Sequence, residues 1–151
     1  MPASNDITVR PLAPDDRAEW EPLFRGYLEF YKSSLSDDVI EETWQRLMSD
    51  DPQFHVGLCA CAATGALVGI AHILFHRSTW SKTHYCYLED LFVSPDVRAN
   101  GIGRQMIDAV YVQADARNCT RTYWATQEFN YRARGLYDQV ATKSPFLQYR
   151  R

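Results

Sequence analysis

The heptapeptide Arg98-Ala99-Asn100-Gly101-Ile102-Gly103-Arg104 follows the run Tyr87-Leu88-Glu89-Asp90-Leu91-Phe92-Val93 and opens a helical pattern from Gln105 to Arg117. A strand that feeds a glycine-rich turn and then a helix makes an anion cradle. Glycine lets the backbone approach a ligand closely, and the first helical N–H groups, unpaired within the helix and at the positive end of its dipole, point at whatever sits there. Arg98 and Arg104 add charge-assisted donors suited to phosphate, so the chemistry indicated is the binding of a pyrophosphate. A Gly-x-Gly is also the ordinary mark of a tight turn closed by a helix cap, and context has to separate the two. A dinucleotide fingerprint needs a third glycine and an acidic residue about 20 positions on, and neither is found around Gln105-Met106 and Cys119-Thr120-Arg121. No Gly-Lys-Ser/Thr follows, which excludes the ATP-binding P-loop.

Further along stands Asn130-x-x-Ala133-Arg134-x-Leu136-Tyr137. Taken with the Arg-x-x-Gly-x-Gly pattern, it resembles the GNAT superfamily of acyl-CoA-dependent N-acetyltransferases, most strongly over residues 85–149. The run Tyr87 to Val93 is similar to the corresponding strand of the spermidine/spermine acetyltransferases. The resemblance implies an α/β fold with a mixed, mostly antiparallel central sheet, splayed near its middle and flanked by helices on both faces. It implies acetyl-CoA as co-substrate and no metal. It lays the backbone of Leu91, Phe92 and Val93 along the pantetheine arm, puts Arg98, Asn100, Gly101, Ile102, Gly103 and Arg104 on the pyrophosphate, and lets Asn130 reach the amide part of the arm.

Acetyl transfer to an amine needs a neutral nucleophile, because an ammonium of pKa about 10.4 has no lone pair to attack with. A carboxylate acting directly or through water can take that proton, and the resemblance assigns the task to Glu89. Asp90 falls on the opposite face if the strand alternates regularly, whereas a bulge changes that parity. The departing thiol, of pKa about 8.5, leaves better when an acid protonates it. Tyr137 lies seven residues after Asn130 and four after Ala133, on one helical face with both, and the resemblance makes it the general acid. The aromatic row Trp20, Phe24, Tyr27 and Tyr31 has helical spacing and reads first as core. In the family this helix lines the acceptor side, so Tyr27, Tyr31, Glu89 and Asp90 are the candidate substrate contacts.

The 151 residues, 46% hydrophobic, suit one well-cored N-acetyltransferase domain over 1–151. No apolar run of about 18 residues and no charged-then-apolar leader is visible, so cytoplasmic residence is expected, without a membrane partner. A net charge of −3 weighs against nucleic-acid binding. Cys59, Cys61, Cys86 and Cys119 lack metal-ligand spacing and read as buried reduced thiols. His72 and His76, four apart on a strand with no third ligand, read as packing or surface residues rather than a metal site. Strands are predicted over residues 7–12, 53–63, 66–77, 83–93, 121–126 and 146–149. Pro22 is expected to kink or divide the first helix near its start. The functional reading is transfer of an acetyl group to a small-molecule primary amine, a polyamine or an amino acid, by direct attack in a ternary complex. A homodimer is in keeping with the family. The contrasting readings are an acyl-CoA sensor or scaffold without turnover, and an acetyltransferase acting on protein lysines.

Overall fold

The computed structural model describes residues 6–97 and 101–151, so Arg98 and Asn100 of the predicted pyrophosphate loop lie outside the described residues. Five strands, β1 (Thr8–Pro11), β2 (Val56–Cys61), β3 (Leu67–His76), β4 (Tyr85–Val93) and β5 (Arg121–Tyr123), form one open sheet in chain order. Neighbours run antiparallel except β4 and β5, which are parallel. The mixed, mostly antiparallel α/β sheet predicted from the sequence is therefore observed. The β2–β3 hairpin turns at Thr64-Gly65, where Gly65 takes a φ of +90°, a conformation cheap only without a side chain.

Helices cover both faces. On one, α1 (Arg17–Phe30) and α2 (Asp37–Leu47) bury Trp20, Phe24, Ile40, Trp44 and Leu47 against Ile70 and Phe92 of the sheet. Each such side chain contributes about 1.5–3 kcal/mol when taken fully from water. A Cβ on Gly26 would lie 3.1 Å from the Phe92 ring, so any larger residue there would push that ring by a few tenths of an ångström where α1 meets β4. On the other face α3 (Ile102–Ala116) buries Ile102, Met106, Ile107, Val110 and Ala114, and α4 (Tyr131–Val140) adds Leu136, Tyr137 and Val140 at the edge of that core.

The structure departs from expectation in part at Pro22 and outright at the C-terminal strand. Of the two effects expected of Pro22, division of the helix does not occur, as α1 runs unbroken from Arg17 to Phe30. A proline ring removes one intrahelical hydrogen bond, but Trp20 and Phe24, buried on either side of it, hold both halves against the sheet. The closing strand predicted over residues 146–149 does not form: the chain beyond α4 carries no strand, and Phe146, Leu147 and Tyr149 are exposed. Strand-like residues need a partner edge, and β5 is only three residues long, ending before Trp124 turns to pack on Tyr137.

Candidate active site

The site grows from the splay. The β4–β5 ladder pairs Tyr85–Tyr87 with Arg121–Tyr123 and stops there, so the two strands part beyond Tyr87. Leu91, Phe92 and Val93 then form one wall of a cleft of about 400 Å³, with Gly101, Ile102, Gly103 and Arg104 at the start of α3 and Asn130 and Tyr137 of the α4 region opposite. Tyr27 and Tyr31 close it from α1. All the described residues predicted to hold the co-substrate thus meet in one place.

Local sequence explains each wall. Gly101 caps α3 with φ +74° and ψ +13°, left-handed values that strain any residue with a Cβ, and among the described residues beyond its chain neighbours nothing lies within 4 Å of where that Cβ would be. The first N–H groups of α3 have no intrahelical carbonyl to pair with, which suits an anion at that point. The Arg104 guanidinium donates to Gln139 Oε1, tying α3 to α4. Asn130 caps α4, its carbonyl accepting from Arg134 N–H at 3.0 Å and its amide donating to Thr126 Oγ1 at 3.1 Å. The fit to a pyrophosphate-bearing co-substrate rests on this backbone cradle opening into a largely apolar cleft.

A smaller hollow adjoins the cleft beside Glu89 and is lined by Tyr27, Tyr31, Leu91, Trp124 and Tyr137 among others. Four residues, Tyr27, Tyr31, Leu91 and Tyr137, therefore border both spaces. Burial, with a smaller effect of Tyr31, pushes the Tyr137 hydroxyl up to about 12, so it holds its proton throughout the neutral range. The Tyr137 ring packs edge-on against Trp124 at 5.4 Å between centroids.

The carboxylates are placed by a bulge. In the β3–β4 ladder His72 faces Asp90 while Ile73 faces Leu88, leaving Glu89 as the extra residue. Cys86 and Leu88 point into the α3-side core, but beyond the bulge Phe92 points to the α1 side, and Leu91 and Val93 join the α3-side core. Side-chain parity thus inverts at Glu89. The Glu89 carboxylate lies 2.5 Å from His55 Nε2 and stays 41% exposed. Asp90 Oδ2 lies 2.8 Å from His72 Nδ1, with the histidine side chain 1% exposed and the aspartate 17%. The Trp20 indole N–H donates to His72 Nε2 at 2.9 Å. Asp90 borders neither space directly, and the Tyr27 hydroxyl donates to the Glu89 carbonyl oxygen at 3.4 Å. Burial first, then the Asp90 charge and hydrogen bonding, raise the Tyr27 hydroxyl far above the usual phenol range.

Several contributors escaped the sequence reading. Phe30, Arg132, Ala133 and Leu136 also line the cleft. His55 and His72 pair with the two carboxylates, and no local motif marks either. All four cysteines are free; burial pushes Cys59 up to about 12 and Cys86 up to about 11. Among the described residues no three His, Cys, Asp or Glu side chains gather as a metal site, and no helix is long and apolar enough to cross a membrane.

Comparison with known proteins gives this architecture its class. The family model described as Acetyltransferase (GNAT) family matches residues 18–141. The chain belongs to the GNAT family. It is 32% identical over 145 residues to the D-amino-acid N-acetyltransferase HPA3 of Saccharomyces cerevisiae, covering 96% of this chain and 90% of that one. It is 38% identical over 144 residues to the thialysine N-epsilon-acetyltransferase of Bos taurus, covering 91% and 84%. Its fold matches the aminoglycoside N-acetyltransferase AAC(6')-Iy in complex with CoA with a TM-score of 0.80 at 19% identity, over 96% of this chain and 93% of that one. The chain is accordingly an N-acetyltransferase, an enzyme that moves acetyl groups to amines.

Proposed function

We propose that residues 1–151 form one N-acetyltransferase domain that transfers the acetyl group of acetyl-CoA to the primary amine of a small molecule, an amino acid or a polyamine, by direct attack in a ternary complex. The observation that carries this reading is the shared wall of the two spaces: Tyr137 and Tyr27 face both the cradle-bearing cleft and the hollow beside Glu89. The hollow, at about 10 Å³, has room for little more than a water-sized group, so it would admit the attacking amine nitrogen and not a whole acceptor, and that nitrogen would meet the thioester of a co-substrate in the cleft at Tyr137. The named activities of the yeast and bovine relatives, on D-amino acids and thialysine, support a small amine as acceptor.

Bound acetyl-CoA supplies the acyl group as an activated thioester. The backbone at Gly101 to Arg104 holds its pyrophosphate, the Leu91–Val93 strand aligns the arm, and Asn130 fixes its amide portion. Glu89, exposed to the hollow and steadied by His55, accepts the proton the attacking amine must lose. Tyr137 gives its proton to the departing sulfur. With its hydroxyl raised to about 12, Tyr137 remains a proton donor across the working range, so an alkaline fall in kcat centred below pH 11 belongs to another group. The four free thiols suit a cytoplasmic protein. The exposed Phe146, Leu147 and Tyr149 support a homodimer in which these side chains are covered, measurable by light scattering.

The test is free-thiol release from acetyl-CoA against polyamines, amino acids, aminoglycosides and lysine peptides, for wild type and Tyr137→Phe. Acceptor-dependent release with a small amine, falling about 100-fold in kcat in the variant, is the expected result. Release only with lysine peptides would move the acceptor to proteins. Tight acetyl-CoA binding with no release would make the domain a sensor.

A further inference from the structure

At the end of the sheet away from the cleft, the loop 77–84 between β3 and β4 meets the turn between α3 and β5. Thr120 N–H donates to the His84 carbonyl at 3.1 Å, Thr120 Oγ1 to Ser81 Oγ at 2.7 Å, and Thr83 Oγ1 to the Asn118 carbonyl at 2.6 Å, which ties the two segments into one surface. Residues 77–84 and 113–121 carry Arg77, Lys82, Arg117 and Arg121 against one carboxylate, Asp115, in a chain whose net charge is −3. Among the described residues none of these four cations pairs with a carboxylate, whereas Arg10, Arg17, Arg25 and Arg46 of β1, α1 and α2 all do. Aromatic rings hold two of the guanidinium groups in place. Arg117 lies over Phe75 at 4.1 Å from the ring centroid, and Arg121 over Tyr85 at 4.5 Å with Trp80 at 6.0 Å. Ring contact uses the flat face of a guanidinium and leaves its N–H edge free to donate to a carboxylate. Arg117 spends one N–H on Gln113 Oε1, a neutral group that leaves its charge uncompensated. Trp80 itself is 75% exposed.

We infer that this end of the molecule is a docking surface for an acidic segment of another protein, whose carboxylates meet Arg77, Lys82, Arg117 and Arg121 while one of its apolar side chains covers Trp80. A lone exposed apolar residue is ordinary on a protein surface. An exposed tryptophan among uncompensated, ring-held arginines is the composition of an interface hot spot, because groups already held in place give up little freedom on contact. Phe75 packs against the α3-side core, and Tyr85, next to the core residue Cys86, faces the other side of the sheet. Arg117 and Arg121 therefore flank this end from two sides, and an extended segment crossing it meets both. Four cations suit a short acidic segment better than a nucleic acid, whose long run of phosphates a net charge of −3 repels. The acidic α2 of a second copy is a poorer occupant, since Asp37, Glu41 and Glu42 already pair with arginines of their own chain. Along β4 the stretch from Tyr85 to the cleft wall at Leu91 spans about 20 Å at the rise of a strand, so a docked segment leaves the transfer site open.

The test is fluorescence anisotropy of a short labelled peptide, glutamates with one central phenylalanine, titrated with the full chain. A saturable rise with a Kd of about 10–100 µM at low salt is expected, weakened about tenfold as salt approaches about 0.3 M. Trp80→Ala, and separately Arg77→Glu combined with Lys82→Glu, should each raise that Kd about tenfold or more. All three positions are exposed, so the variants keep the fold, and their KM for acetyl-CoA stays within about twofold of wild type. Arg46→Ala, which removes a cation already paired with Glu42 on α2, should leave the peptide Kd within about twofold. No saturable binding, or as large a loss in Arg46→Ala as in Trp80→Ala, would overturn the proposal. So would tighter binding of an oligouridylate, which would make the partner a nucleic acid, or of phosphatidylserine vesicles, which would make it a membrane surface.

Discussion

Glu89 and Asp90 are consecutive residues, each within hydrogen-bond reach of a histidine, yet they live in different environments. The His55–Glu89 pair is half exposed and looks into the hollow, whereas His72–Asp90 is buried and its imidazole is pinned from behind by Trp20. An exposed carboxylate can exchange protons with substrate and solvent, which a base must do on every turnover. A carboxylate whose neighbour cannot rotate or change tautomer is better suited to holding something than to shuttling a proton. The bulge produces this division, because without the extra residue the two side chains would simply take alternate faces of a regular strand.

The contrast can be broken most severely at Trp20. In Trp20→Phe the His72 acceptor loses its buried partner, and stability should fall by about 1–3 kcal/mol with a raised acceptor KM, read by urea unfolding and steady-state kinetics. Gly101→Ala serves as the control on the co-substrate side: the left-handed backbone should cost about 1 kcal/mol and raise the KM for acetyl-CoA several-fold without touching the acceptor KM. The smallest effect is expected at His55→Gln, where an exposed pair is worth less than about 1 kcal/mol; unfolding should barely change, and kcat should drop only a few-fold. If His55→Gln proved as damaging to stability as Trp20→Phe, the distinction between an exposed pair and a locked one would not hold.

The cradle and the Asn130–Tyr137 helix were legible in the sequence because their signals are local: a glycine doublet after a strand, and three residues on one helical face. Trp20 and Phe24 follow as core from one helix's periodicity, whereas Tyr27 and Tyr31, which do line the site, were marked for it only by the family resemblance. The Trp20–His72–Asp90 array was not legible. Its members are separated by 52 and 18 positions, and a single histidine inside the apolar run Leu67–Phe75 gives no sign of what it will face. The bulge was foreseen only as an alternative, because register depends on two strands at once and neither strand's own pattern fixes it. The strand expected over 146–149 failed for a related reason: alternation marks a segment able to pair but cannot supply the edge it pairs with.

Separate duties for the two carboxylates are tested most directly by steady-state kinetics of Glu89→Gln beside Asp90→Asn, on one amine that the wild type acetylates. The predicted result is a kcat lowered about 100-fold with a nearly unchanged acceptor KM for Glu89→Gln, and an acceptor KM raised about tenfold or more with kcat largely kept for Asp90→Asn. Equal losses in kcat for both variants, or the reverse assignment, would contradict it.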